Sequence, residues 1–155
     1  MGAGDEKVGQ IIGGSPRDGK QVKQRFIANF PGLSELLERL GREVERRGRI
    51  VLCDGTPIIV TQPHTRLGYL LQGDESRIMK RAAILTDREV RRRGLDVLKV
   101  CDVHDEFQND VLLSHVEEFK DEVCPLAFKN SGLSFNYRVP IECSSKVGLT
   151  WSMTH

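Results

Sequence analysis

Residues 97–113 read VLKVCDVHDEFQNDVLL. Two apolar runs of β type flank three consecutive ionisable residues, His104, Asp105 and Glu106. The pattern predicts strands over 97–103 and 106–113, with His104 and Asp105 at or near their turn. Burying a bare carboxylate costs several kcal/mol unless it is paired or binds a cation. A strand junction carrying His-Asp-Glu is therefore either an active or metal site, or a solvent-exposed turn, where aspartate is common. Spacing alone leaves both readings open.

Outward from this stretch, the chain alternates helical and strand signals. Upstream, Leu67, Leu70, Leu71, Ile78 and Leu85 recur at helical spacing over 63–94. Gly94 is a C-terminal stop, and Arg91, Arg92 and Arg93 suit the negative end of the helix dipole better than a phosphate site. Downstream, Ser114 with Glu117 three residues on predicts a capping box. The helix it would open carries Val116, Phe119 and Val123. The stretch FNYRVPIECSS, residues 135–145, reads as a last strand before a short tail.

The first half begins with Ser15 and Pro16, an N-cap followed by the first helical position. Val22, Phe26 and Phe30 follow at four-residue intervals, then Leu33, Leu36, Leu37, Leu40 and Val44 form a second stripe. Glu38, Arg42, Glu45 and Arg46 make its solvated face. In RIVLCDGTPIIVT, Asp54-Gly55 between β-branched runs predicts a hairpin. Pro57 marks its second run as an exposed edge. The class is α+β, with a small antiparallel sheet and helices packed on one face.

The 155 residues suffice for one ordinary domain, 39% hydrophobic and 29% charged. A formal net charge of +1 excludes global basicity as a reason to bind nucleic acid, so such binding needs a local patch. No apolar run approaches a membrane span, and MGAGDEKVGQ lacks the apolar core of a signal peptide. Gly2 suggests myristoylation, but Glu6 stands where that pattern needs Ser or Thr. Cys53, Cys101, Cys124 and Cys143 form no close pair and read as reduced, half-buried thiols of a cytoplasmic protein.

GSPRDGKQ, residues 14–21, nearly matches a phosphate-binding loop. That loop needs a preceding strand, free backbone amides and a hydroxyl for magnesium. Gln21 replaces the hydroxyl, Pro16 removes an amide, and VGQII is too short and too early for a central strand. A glycine-rich linker between helices is the better reading. Any magnesium reading of Asp105 meets a different difficulty. Magnesium in phosphoryl transfer takes one or two carboxylates plus substrate phosphates. Neighbouring strand residues face opposite sides, so Asp105 and Glu106 need not share an ion, and no other acid here has a matching context.

Several motifs, in order, resemble the C-terminal part of family A DNA polymerases, especially the replicative polymerases of podovirus-type phages. GAGDEKVGQIIG is similar to the segment after the nucleotide-binding fingers helix. IVLCDGTPIIV with PHTRLGYLLQG resembles the family's Asp-Gly hairpin and long palm helix. QGDESRIMKRA keeps the Gln-Gly, Ile and Lys-Arg-Ala positions, VHDE resembles the last catalytic motif, and WSMTH a Trp-to-terminal-His ending. Each is unspecific alone; five in order are specific.

The resemblance implies a function and a site. Asp105 is then a ligand of catalytic magnesium in a two-metal site, and Glu106 an accessory catalytic acid. His104 lies beside the primer 3′ end. Gln72 and His64 contact the minor groove of primer-template DNA, whereas Gly68 replaces the family's asparagine. Residues 1–48 are a helical, fingers-derived segment and 49–155 the palm segment. The first catalytic aspartate and the residues that hold the incoming dNTP have no match here, and Met1 stands in place of a family tyrosine. The expectation is a split polymerase or a gene fragment, catalytic only with an N-terminal polymerase chain as partner, with no membrane association. A DNA-binding or regulatory remnant is the alternative; an unrelated metal-dependent nuclease fits the acids but not the order of motifs. The palm sheet would be incomplete, leaving Val103, Phe107 and Val111 beside an uncovered face.

Overall fold

The computed structural model describes residues 4–154. The chain forms two compact units, Met1–Gly73 and Asp74–His155. Met1, Gly2 and His155, which carried expectations from the sequence, lie outside the described residues.

In the first unit, α1 (Asp5–Ile11) and α2 (Pro16–Ala28) are joined by a short turn that includes Gly13 and Gly14. The expected glycine-rich linker over 14–21 is shorter than that: capped at Ser15, residues 16–21 are already the first turns of α2, and helix α1 stands where a phosphate-binding loop would need a strand. Ser15 caps α2 in a reciprocal box: its Oγ accepts from the Asp18 N–H, and the Asp18 carboxylate accepts from the Ser15 N–H at 2.7 Å. The two helices meet at glycines. A Cβ on Gly19 would sit 2.0 Å from the Asp5 carbonyl oxygen, and one on Gly9 2.3 Å from that of Ser15. Lys23 Nζ braces the crossing by donating to Asp5 Oδ1 at 2.8 Å.

Helix α3 (Pro31–Arg47) presents its leucine stripe to β1 (Arg49–Val51) and β2 (Pro57–Ile59), which pair antiparallel. Leu40, Ile50, Val60 and Leu67 form the buried cluster, with Leu33, Leu36, Leu37 and Val44 packed against it. The hairpin turn is longer than the Asp-Gly pair alone. The Leu52 N–H donates to the Thr56 carbonyl and the Gly55 N–H to the Leu52 carbonyl, both at 2.9 Å, with Gly55 at φ 85°. Cys53-Asp54-Gly55 is thus a three-residue loop whose last residue must be left-handed. Asp54 Oδ1 accepts from the Thr56 N–H and tightens it.

Helix α4 (Arg66–Arg93) follows a single turn, Pro63–Thr65. Its residues up to Gly73 belong to the first unit and the rest to the second. Leu67 is buried, but Leu71, expected on the same apolar face, is 57% exposed. The core face of the second unit instead runs through Met79, Ala82, Thr86 and Val90. The helix ends as predicted, with the Leu95 N–H bonded back to the Val90 carbonyl around Gly94. The terminal arginines are structural. Arg93 bonds to Glu89, Glu118 and Glu122, while Arg91 and Arg92 pair with Asp87 and Glu89.

Strands β3 (Val97–Val103) and β4 (Glu106–Val111) form a second antiparallel pair. Phe107 is not uncovered: it packs with Met79, Ala82 and Phe128, its ring 5.6 Å from that of Phe128. Val111 packs against Val90, Phe119 and Val123. The exposed apolar residues of the hairpin are Leu98 and Val100 instead.

The capping box expected at Ser114 and Glu117 does not form. A turn at Leu113–His115 leads into α5 (Val116–Glu118), whose N-cap, His115, makes no side-chain cap bond. The His115 Nδ1 instead accepts from the Asp96 N–H, and Glu117 pairs with Lys120. A π-helical turn, Phe119–Val123, joins α5 to α6 (Cys124–Ser134). It precedes Pro125, which has no N–H to donate to the preceding turn. Residues 135–145 form no strand. Pro140 interrupts the run, and the segment crosses α6 as a strap, with Ile141 against Gly132 and Tyr137 Oη donating to Asp74 Oδ2 at 2.8 Å. The four cysteines are free and half-buried, and burial pushes the Cys124 thiol up to about 12.

Candidate active-site hairpin

The β3–β4 turn consists of His104 and Asp105 alone, because Val103 pairs with Glu106. A two-residue connection matching the right-handed twist of paired strands needs a left-handed residue. His104 supplies it at φ 53°. An L-residue there costs about 1 kcal/mol or more. We expect His104→Gly to raise the stability of the second unit by about 0.5–1 kcal/mol, and His104→Val to lower it, because β-branching is least tolerated at positive φ. Urea unfolding of the variants checks this; a less stable glycine variant contradicts it.

The turn projects its two residues into solvent. His104 and Asp105 are exposed, and the Asp105 side chain has no hydrogen-bond or ion-pair partner among the described residues. Of the two readings the spacing left open, the exposed turn describes the place of Asp105. An exposed, unpaired carboxylate at a hairpin turn is also what a ligand to a hard cation requires. No three His, Cys, Asp or Glu side chains converge among the described residues, so a complete metal site is not assembled by these residues.

The strand register decides what lies behind the turn. Lys99 pairs with Asn109 but Cys101 with Gln108, so Val100 is an extra residue, a β-bulge. The bulge resets the alternation of β3. Lys99 and Asp102 come to the face of Phe107, where Lys99 Nζ meets Asp102 Oδ1 at 2.6 Å and lies 5.1 Å from the Phe107 ring centre. Cys101, Val103, Glu106 and Gln108 share the opposite face. Glu106, half-buried, accepts from Gln108 Nε2. Sequence reasoning missed Gln108, although its position two residues after Glu106 on a strand was the available signal.

The remaining predicted site residues belong to the first unit. His64 lies in the turn Pro63–Thr65 and Gln72 on α4. Both are exposed, as is Gly68 between them. The four-residue spacing of the three sets them on one strip of the helix and its leading turn. The structure sets His104 and Asp105 at one turn with Glu106 as the first residue of β4, and His64 and Gln72 along one strip of α4 and its leading turn.

The chain is 30% identical over 161 residues to a DNA-directed DNA polymerase of Escherichia phage Phieco32, covering 99% of the chain and 26% of that protein. It is 28% identical over 174 residues to the DNA-directed DNA polymerase of Escherichia phage T7, covering 99% of the chain and 25% of the relative. DNA polymerase I of Aquifex aeolicus is 25% identical over 148 residues. The chain thus spans about a quarter of the length of these relatives. No protein-family model matches it. Its fold matches the POL domain of Pol1 from M. smegmatis, solved with DNA primer-template and dNTP, with a TM-score of 0.77 and 19% identity over 89% of the chain. No helix among the described residues is long and apolar enough to cross a membrane.

Proposed function

We propose that this chain, similar over 99% of its length to about a quarter of a phage DNA-directed DNA polymerase, is the C-terminal, palm-containing part of such an enzyme. Its reaction is template-dependent nucleotidyl transfer. The primer 3′-oxygen attacks the α-phosphorus of a dNTP and pyrophosphate leaves. The observation that carries the reading is Asp105, exposed on a two-residue turn between paired strands, inside a sequence match that runs through the whole chain.

Each residue then has a task. Asp105 offers an anionic oxygen to magnesium, and Glu106, the next residue, serves as the accessory acid. Bound magnesium ions would stabilise charge on the phosphoryl oxygens and the attacking and leaving oxygens. His104 borders the primer terminus. His64 and Gln72 place polar side chains on the exposed strip of α4 and its leading turn, where they track the minor groove of the primer-template. Residues 1–48 are the fingers-derived part and 49–155 the palm.

No residue in this sequence resembles the second catalytic aspartate. We assign it to a partner chain that also holds the dNTP, acting in the cytoplasm of a phage host. The test is magnesium-dependent extension of a primed template. The 155-residue chain by itself is expected to add no nucleotide, and the complex with its N-terminal polymerase partner to extend the primer. Template-directed extension by the chain without a partner overturns the shared site. A complex that binds primer-template but never extends it identifies a non-catalytic remnant.

A further inference from the structure

The carboxylate of Glu106 is tied to the far end of the chain. Gln108 Nε2 donates to Glu106 Oε1, and Gln108 Oε1 accepts from Thr154 Oγ1 at 3.3 Å. The orientation of this amide follows from its neighbours. A carboxylate only accepts, so the NH2 end of Gln108 must face Glu106 and the oxygen must face Thr154. Thr154 follows the turn Trp151–Met153, and its N–H donates to the Trp151 carbonyl at 2.9 Å. The same carbonyl lies 2.9 Å from Thr154 Oγ1, so the single hydroxyl proton is shared between the turn and Gln108. The tail is closely folded on itself: a Cβ on Gly148 would meet Met153 Cβ at 2.5 Å.

We propose that Gln108 and Thr154 are positioning residues: the terminal turn latches onto the amide that orients the Glu106 carboxylate, so docking of the tail sets the geometry beside Asp105. The catalytic half of this inference rests on Glu106 being the accessory acid of the proposed polymerase; the latch does not. An amide anchored at both ends narrows the directions open to the carboxylate it donates to. The structure supplies the buttress from 46 residues away in sequence.

Trp151 is the only tryptophan in the chain and reports the latch. Two measurements separate the latch from catalysis. Acrylamide quenching of Trp151 in the 155-residue chain reads docking of the tail. Steady-state dNTP incorporation by the partnered complex reads positioning. Gln108→Leu and Thr154→Val are expected to increase quenching and to lower kcat about tenfold or more while leaving the KM for dNTP unchanged. Thr154→Ser, which keeps the hydroxyl, is expected to restore both. Thermal melting guards against misfolding, and Thr154→Val, in the terminal turn, leaves the cores untouched. Unchanged quenching in Thr154→Val overturns the latch. Increased quenching with a wild-type kcat overturns the positioning role. A wild-type complex that extends no primer refutes the polymerase reading, and quenching still decides the latch.

Discussion

Asp105→Asn in the partnered complex abolishes primer extension while binding of primer-template stays near wild type. The substitution keeps size and shape but replaces an anionic oxygen donor with a neutral amide, a poor ligand for a hard cation. Charge that develops on the phosphoryl group in the transition state then loses part of its stabilisation. The expected fall in kcat is on the order of a thousandfold, about 4 kcal/mol in the barrier. The fold has little reason to respond. Asp105 is exposed and its side chain holds no partner among the described residues, so no buried charge or hydrogen bond is lost. Rapid-quench incorporation together with a filter-binding titration checks both halves. A variant that retains near-normal rate removes Asp105 from the role of metal ligand.

The second large effect is on stability. Gly19→Ala places a methyl group 2.0 Å from the Asp5 carbonyl oxygen and 2.6 Å from the Gly9 nitrogen. Both obstacles are backbone atoms of α1, so no side-chain rotation relieves the overlap. The helices must separate, and the Lys23–Asp5 pair across them lengthens. Overpacking of this kind costs about 2–3 kcal/mol, which in a chain of this size lowers Tm by about 5–10 °C. Gly32→Ala in α3 is the control. Nothing lies within 4 Å of its added Cβ, so helix propensity alone acts, and stability rises by up to about 1 kcal/mol. Calorimetry of both variants is sufficient. Equal melting of Gly19→Ala and wild type contradicts the close crossing. The same glycine is one of the two, with Gly14, that give GSPRDGKQ its likeness to a phosphate-binding loop. The crossing of α1 and α2 accounts for it without a phosphate.

Much of the fold was legible because its signals close over a few residues. The Ser15 cap needs only Asp18, three positions on. The leucine stripe of α3 repeats within one helix and reaches its core as expected. The stop at Gly94 and the two-residue turn at His104 and Asp105 depend on backbone bonds between near neighbours. Where those local signals competed with tertiary contacts, they lost. Ser114 and Glu117 had the pattern of a capping box, but His115 bonded to Asp96 and Glu117 to Lys120. Residues 135–145 had strand composition, yet Ile141 found Gly132 and Tyr137 found Asp74 across 63 positions.

The site divides in the same way. Residue types, spacing and resemblance by themselves marked the candidate side chains: His104, Asp105 and Glu106 at or beside a turn, His64 and Gln72 on a helix and its leading turn. Only the tertiary structure decided how the turn is supported. The bulge at Val100 shifts register by one residue, and one residue exchanges the two faces of a strand. That exchange sets Lys99 and Asp102 beside Phe107 and leaves Glu106 with Gln108 on the other side. Thr154 then reaches Gln108 across 46 positions. Contacts of that range follow from where folded elements come to rest, and the periodicity of a single segment carries no information about its distant neighbour.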